Sequence, residues 1–96
     1  MPTETVERED NGAYGRYFVR FPDGAEGEMT YRKVREGVIA IDHTGVPRAH
    51  RGQGHAEMLV NAGIADARRE GTKIIPLCSY VEAQFRRHPE WADLRA

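Results

Sequence analysis

The stretch Val46-Pro47-Arg48-Ala49-His50-Arg51-Gly52-Gln53-Gly54-His55-Ala56 decides the reading of this chain, because it has the form of a glycine-rich loop that runs straight into a helix. Upstream, Gly37-Val38-Ile39-Ala40-Ile41-Asp42-His43-Thr44 is β-branched and mostly apolar, the texture of a strand. Downstream, Ala56, Leu59, Val60, Gly63, Ile64 and Ala67 recur at helical spacing. In a loop between strand and helix, Gly52 and Gly54 remove the side chains that would hold a ligand away from the backbone. The unpaired N–H groups of the first helical turn then point at that ligand, and an anion gains both their hydrogen bonds and the positive end of the helix dipole. A phosphate-binding loop is the expectation.

Two common phosphate loops do not fit. The dinucleotide fingerprint needs a small residue where Glu57 stands, and no Gly-Lys-Ser/Thr follows to make a nucleoside-triphosphate loop. Arg51-x-x-Gly54-x-Ala56 instead resembles the pyrophosphate-binding signature of the GNAT superfamily of acetyl-coenzyme A-dependent N-acetyltransferases. The resemblance extends through four segments in order: His43-Thr44-Gly45-Val46-Pro47, Arg51-Gly52-Gln53-Gly54-His55-Ala56, Ile75-Pro76-Leu77-Cys78-Ser79-Tyr80-Val81 and Arg86-Arg87-His88-Pro89-Glu90-Trp91. In these the chain, from about Arg16 onward, is similar to the minimal single-domain YjdJ-type branch of that superfamily.

The local patterns give an α/β (mixed-sheet) order of elements. Residues 1–12 are polar and acidic, a frayed lead-in or a short edge strand, and residues 13–96 read as one domain. Tyr17, Val19 and Phe21 alternate on one face of a first strand, Pro22-Asp23-Gly24 turns the chain, and Glu28 to Val34 makes a second strand. After Glu36-Gly37, Val38 to Thr44 is the third, so the three read as an antiparallel meander. The helix ends at Gly71, Lys73 to Cys78 returns as a strand parallel to the third, and Pro76 ends that pairing because it has no N–H to donate. A short C-terminal helix from Tyr80 to about Arg87 stops at His88-Pro89. Trp91, Phe85 and Leu94 are expected to fasten the C-terminus.

Composition bounds the function classes. The 96 residues suffice for one domain with one modest core. Fourteen basic and fifteen acidic residues give a net charge of −1, so nothing favours nucleic acid or an anionic membrane as partner. A single cysteine cannot form an internal disulfide, and no apolar run has the length of a signal segment or membrane span, which makes the cytoplasm the expected location. Four histidines and one cysteine show no metal-ligand spacing, and no metal is expected.

The resemblance implies roles for particular residues. The third and returning strands would splay, with the pantetheine arm of acetyl-coenzyme A (acetyl-CoA) in the gap. The pyrophosphate would sit on the backbone of Arg51, Gly52, Gln53, Gly54, His55 and Ala56, and Arg48, His50 or Arg51 would add charge-assisted contacts. A strand bulge at Gly45-Val46 would aim an N–H at the thioester carbonyl. Cys78, at the end of the returning strand, would accept an acetyl group, protonate the departing thiolate or line the tunnel. Tyr80 is a general-acid candidate or a packed ring. His43 shares a parity with Ile39 and Ile41, which points it inward, either as a core group or as a general base. Arg86 and Arg87 would meet the adenosine 3′-phosphate or be solvated. Only the Pro22-Asp23-Gly24 turn separates the first two strands, so the helices that build the acceptor pocket in larger relatives have no room. The open side suits an amine on a protein, and equally a module that binds acyl-CoA without turning it over.

Overall fold

The computed structural model describes residues 3–96, and the first two positions of the polar N-terminal stretch lie outside them. The sheet follows the order of the chain: β1 (Glu7–Asp10), β2 (Tyr14–Arg20), β3 (Glu26–Arg35), β4 (Val38–Gly45) and β5 (Lys73–Pro76). The first four strands form an antiparallel meander, and β5 pairs in parallel with β4. A 3-10 turn at Arg48–His50 and helix α1 (His55–Glu70) lie between β4 and β5. Helix α2 (Ser79–Arg87) and a 3-10 helix over Pro89–Leu94 complete the chain. The mixed α/β class, the β4–α1–β5 crossover and the C-terminal helix match the sequence expectation. The meander has a fourth strand, because Glu7–Asp10 adds to β2 as an edge. Its hairpin is set by Asn11, whose Oδ1 accepts the N–H groups of Ala13 and Tyr14 at 3.0 and 2.8 Å.

Residues opposite one another across strands share a face. The rows Arg8–Tyr17–Met29–Thr44 and Asp10–Gly15–Tyr31–Ile41 look inward. Leu59, Val60, Ile64 and Ala67 of α1 cover this face, and Val81, Phe85, Trp91 and Leu94 join the same buried cluster. Each large apolar side chain buried contributes about 1.5–3 kcal/mol, so this cluster carries the fold. The C-terminus is fastened to it as expected: Phe85 meets Trp91 edge-on with centroids 5.5 Å apart, and the Ala96 N–H donates to Ile74 O at 2.9 Å.

The edge strand is held from the same side. The Tyr31 ring lies across Gly15, where any Cβ would stand 2.2 Å from it, and its hydroxyl donates to Asp10 Oδ2 at 2.5 Å. That hydrogen bond, with the Gly12 N–H, holds the Asp10 carboxyl down to about 2, while burial pushes the Tyr31 phenol up to about 12. Arg8 donates to the Tyr31 hydroxyl at 2.9 Å and to Asp66 and Glu70 of α1 at 3.1 and 2.7 Å. A charged strand thus reaches the helix layer through ion pairs.

Among the described residues no helix covers the outer face. The thinnest dimension of the molecule is 21 Å, room for one sheet and one layer of helices. Phe18 points outward yet is only 2% exposed, because the guanidinium groups of Arg16 and Arg20 lie over its ring at 4.1 and 5.4 Å. Arg16 is itself held by Glu9, Glu26 and Glu28 at 2.7, 2.8 and 3.1 Å.

Candidate active site

The parallel pairing of β4 and β5 runs from Val38↔Lys73 to Ile41↔Pro76 and stops there, while β4 continues to Gly45 against β3. Pro76 has no N–H for a further rung, and the next two N–H groups, of Leu77 and Cys78, both donate to Ile41 O at 3.0 and 2.9 Å. The returning strand therefore ends at Pro76, short of the Cys78 expected from sequence. The chain turns into α2 at once, with Cys78 as its N-terminal cap residue. Beyond Ile41 the edge of β4 that faces β5 has no strand partner among the described residues, which opens a gap where the sequence resemblance implies one.

A bulge at this point reorients β4. Tyr31 pairs with Ile41 and Thr30 with His43, so Asp42 is the extra residue. The bulge thus lies at Asp42, upstream of the Gly45-Val46 position expected. It puts Asp42 and His43 on the outer face together, and Thr30 Oγ1 donates to Asp42 Oδ1 at 2.6 Å. The inward placement expected for His43 is overturned: His43 is exposed, in one cross-strand row with Thr30, Arg16 and Glu9. Thr44 takes the inward position, pairs with Met29, and accepts the Cys78 S–H at 3.6 Å. The His43 imidazole lies over Gly45, where a Cβ would be 2.9 Å from Nε2. Gly45 is thus the residue that makes room for His43.

The loop has the geometry of an anion cradle. Gly52 and Gly54 have φ of 82° and 90°, and Gly54 caps α1 in the left-handed region, where a side chain costs roughly 1–2 kcal/mol. A Cβ at either position would meet nothing within 4 Å, so the space above the loop is open. Among the described residues no partner accepts the backbone N–H groups from Gly52 to Glu57, and α1 has no side-chain cap. A cavity of about 250 Å³ lies here between Gly52, Gly54 and Ala56 on the loop side and Tyr80 of α2. Burial, and then the charge of Glu57, raise the Tyr80 phenol above its ordinary value. Arg51 and Val46 border this cavity and also a second one of about 440 Å³, which holds His43, Gly45, Glu26 and Glu28. Arg51 is tied to the loop by donating from Nε to Val46 O at 2.8 Å.

Other sequence candidates are placed differently. His55, whose backbone is expected at the pyrophosphate, has its side chain buried, 2% exposed: its Nε2 is 2.7 Å from Glu4 Oε1 and its ring meets Phe21 edge-on. The His55 hydrogen bond holds the Glu4 carboxyl below its usual range. His55 therefore offers a ligand its backbone N–H, with the imidazole bracing the loop from beneath. His50 stacks on Phe21 with centroids 3.8 Å apart and lies 2.8 Å from Asp23 Oδ2. Gln53 and Arg48 are exposed on the loop. Arg86 pairs with Glu82 at 3.3 Å, and neither Arg86 nor Arg87 borders the loop cavity. Thr44, the Asp42 bulge and the Glu26–Glu28 cavity received no role from sequence. The signal for the bulge was there in Asp42-His43-Thr44, three polar residues that break the alternation of Ile39 and Ile41. Among the described residues no helix is long and apolar enough to cross a membrane.

A glycine cradle on a helix stands at the mouth of an opening parallel strand pair, the arrangement that the sequence resemblance implies for an acyl-CoA-dependent transferase. The comparisons agree: residues 16–94 match the model of the GCN5-related N-acetyl-transferase family, and the chain belongs to that family. It is similar to a GCN5-like candidate N-acetyltransferase from Staphylococcus aureus, whose solution structure was determined by NMR, with 29% identity and a TM-score of 0.75 over 100% of this chain and 91% of that one. It is also similar to a candidate acyl-CoA N-acyltransferase from Klebsiella pneumoniae subsp. pneumoniae MGH 78578, with 26% identity and a TM-score of 0.54. That match covers 65% of this chain and 44% of the other, so the chain spans less than half the length of the Klebsiella protein.

Proposed function

We propose that this acyltransferase moves an acetyl group from acetyl-CoA to an amine at the end of β4. The observation that carries the reading is the loss of β4–β5 pairing beyond Ile41↔Pro76 beside a loop whose N–H groups, Gly52 to Glu57, stand free. The pyrophosphate would rest on those N–H groups with Arg51 alongside, and the pantetheine would follow the open edge of β4 from Asp42 to Gly45. Acetyl-CoA supplies an activated thioester. The chain's own residues supply the proton traffic and the field. His43 takes the proton that the attacking amine must lose. Unpaired N–H groups on the open edge of β4 stabilise negative charge on the acetyl oxygen. The departing sulfur needs a proton, and Cys78 or Tyr80, both at the start of α2, return it. Thr44 orients the Cys78 thiol for this step. The Cys78 side chain is half-buried behind Thr44, a placement that favours proton donation or lining over covalent acetyl transfer.

The test is to incubate the protein with acetyl-CoA and a panel of primary amines, following free thiol release and the mass of each amine. Release above uncatalysed hydrolysis, with a matching acetylated product, is expected. Tight acetyl-CoA binding with no product from any amine would leave a binding module in place of the transferase.

A further inference from the structure

We infer that the uncovered outer face of the sheet receives the acceptor, and that the acceptor is a basic peptide laid across the strands. This rests on the transferase reading above and adds the direction of approach and the substrate class.

The direction follows from what is filled. The inner face of β2 to β4 is closed by Leu59, Val60 and the rest of the α1 cluster, so the end of β4 is reached from the outer side. There the cavity of about 440 Å³ brings His43 and Gly45 next to Glu26 and Glu28, and it shares Val46 and Arg51 with the loop cavity. One wall thus separates the expected pyrophosphate position from the space beside His43. The β2–β3 turn is too short to supply a helix that would cover this face, since the strands end at Arg20 and resume at Glu26.

The substrate class follows from charge and extent. A second outer cavity, of about 510 Å³, is lined by Tyr14, Glu9, Thr30 and Asp42 near the β1–β2 hairpin. The row His43–Thr30–Arg16–Glu9 links the two cavities across β4, β3, β2 and β1. Strands about 4.8 Å apart make that row roughly 14 Å long, the reach of about four extended residues. A small amine occupies one cavity; a peptide occupies both. Carboxylates line the path, and Arg16, the cation between the cavities, is already held by Glu9, Glu26 and Glu28. A cationic chain complements this surface, and Tyr14, 62% exposed, offers an aromatic face for one of its side chains.

The experiment compares matched peptides, one lysine-rich and one with glutamines in place of the lysines, each with a free amino terminus. Both are titrated by calorimetry into the CoA-saturated protein and assayed for acetylation with acetyl-CoA. The inference expects the basic peptide to bind at least about tenfold more tightly, with the difference shrinking as salt rises. Glu28→Gln and Glu9→Gln should each weaken basic-peptide binding several-fold while CoA affinity stays the same. Equal binding of the two peptides, or no effect of either substitution in a folded protein, overturns the inference. Selective binding of the basic peptide without acetylation of any amine upholds this surface and refutes the transferase reading instead, so the two failures are distinct.

Discussion

Gly54→Val should lower CoA affinity by about 100-fold or more while α1 and the core remain folded. Two effects act together. Gly54 sits at φ 90°, a conformation that a β-branched residue resists, and its missing Cβ faces open space where the pyrophosphate would approach. A valine there either fills that space or turns the loop, and both remove charge-assisted hydrogen bonds from the N–H groups of the first turn. At about 1.5–3 kcal/mol for each such bond, losing two exceeds the 2.7 kcal/mol that 100-fold represents. The core should survive because a Cβ at this position meets nothing within 4 Å. Calorimetry of CoA binding, with circular dichroism on the same sample, checks both halves. Unchanged affinity in a folded Gly54→Val protein would remove the pyrophosphate from this loop.

Cys78→Ala should slow acetyl transfer by about 100-fold or more while CoA binding is nearly unchanged, since a positioned proton donor contributes about 100- to 10,000-fold. Cys78 is the end of a short chain of placement: Pro76 ends the pairing, Ile41 O takes the N–H groups of both Leu77 and Cys78, and Thr44 accepts the thiol. A covalent role makes a different forecast. Acetyl-CoA without amine would then give a stoichiometric thiol burst and an acetyl mass on this residue, both absent in Cys78→Ser. Direct attack by an amine needs no such relay, and no acetyl-enzyme should accumulate. Full activity of Cys78→Ala with a verified acceptor would rule out the acid role and the covalent role alike.

Much of this was legible because it is local. The alternation of Tyr17, Val19 and Phe21 gave the inner face of β2, and all three are buried. Gly52, Gly54 and Gly71 marked the ends of α1, and each has positive φ. Pro76 marked the last β4–β5 pair. What stayed hidden depends on partners distant in sequence. For residues 1–12 the sequence allows a frayed lead-in or a short edge strand, and Glu7–Asp10 takes the second form because Arg8 reaches Asp66 and Glu70 on α1. His55 lies one turn before Leu59 on the buried side of α1, but its partner Glu4 comes from the far end of the chain. His43 was assigned by parity from Ile39 and Ile41, and a single extra residue at Asp42 inverts parity. The same bulge moves Thr44 to the Cys78 side, so one local irregularity rearranges the site around both candidates.

In the proposed complex acyl-CoA sits with its phosphates on the 52–57 loop and its thioester where β4 leaves β5. The most direct measurement is a titration of isotope-labelled protein with acetyl-CoA, followed through the backbone amide NMR signals. Large shifts are expected at Gly52 to Glu57, at Asp42 to Gly45 and at Leu77 and Cys78, with the C-terminal half of α1 unmoved. Shifts confined to the loop with none along the end of β4, or shifts centred anywhere else in the molecule, would contradict that placement.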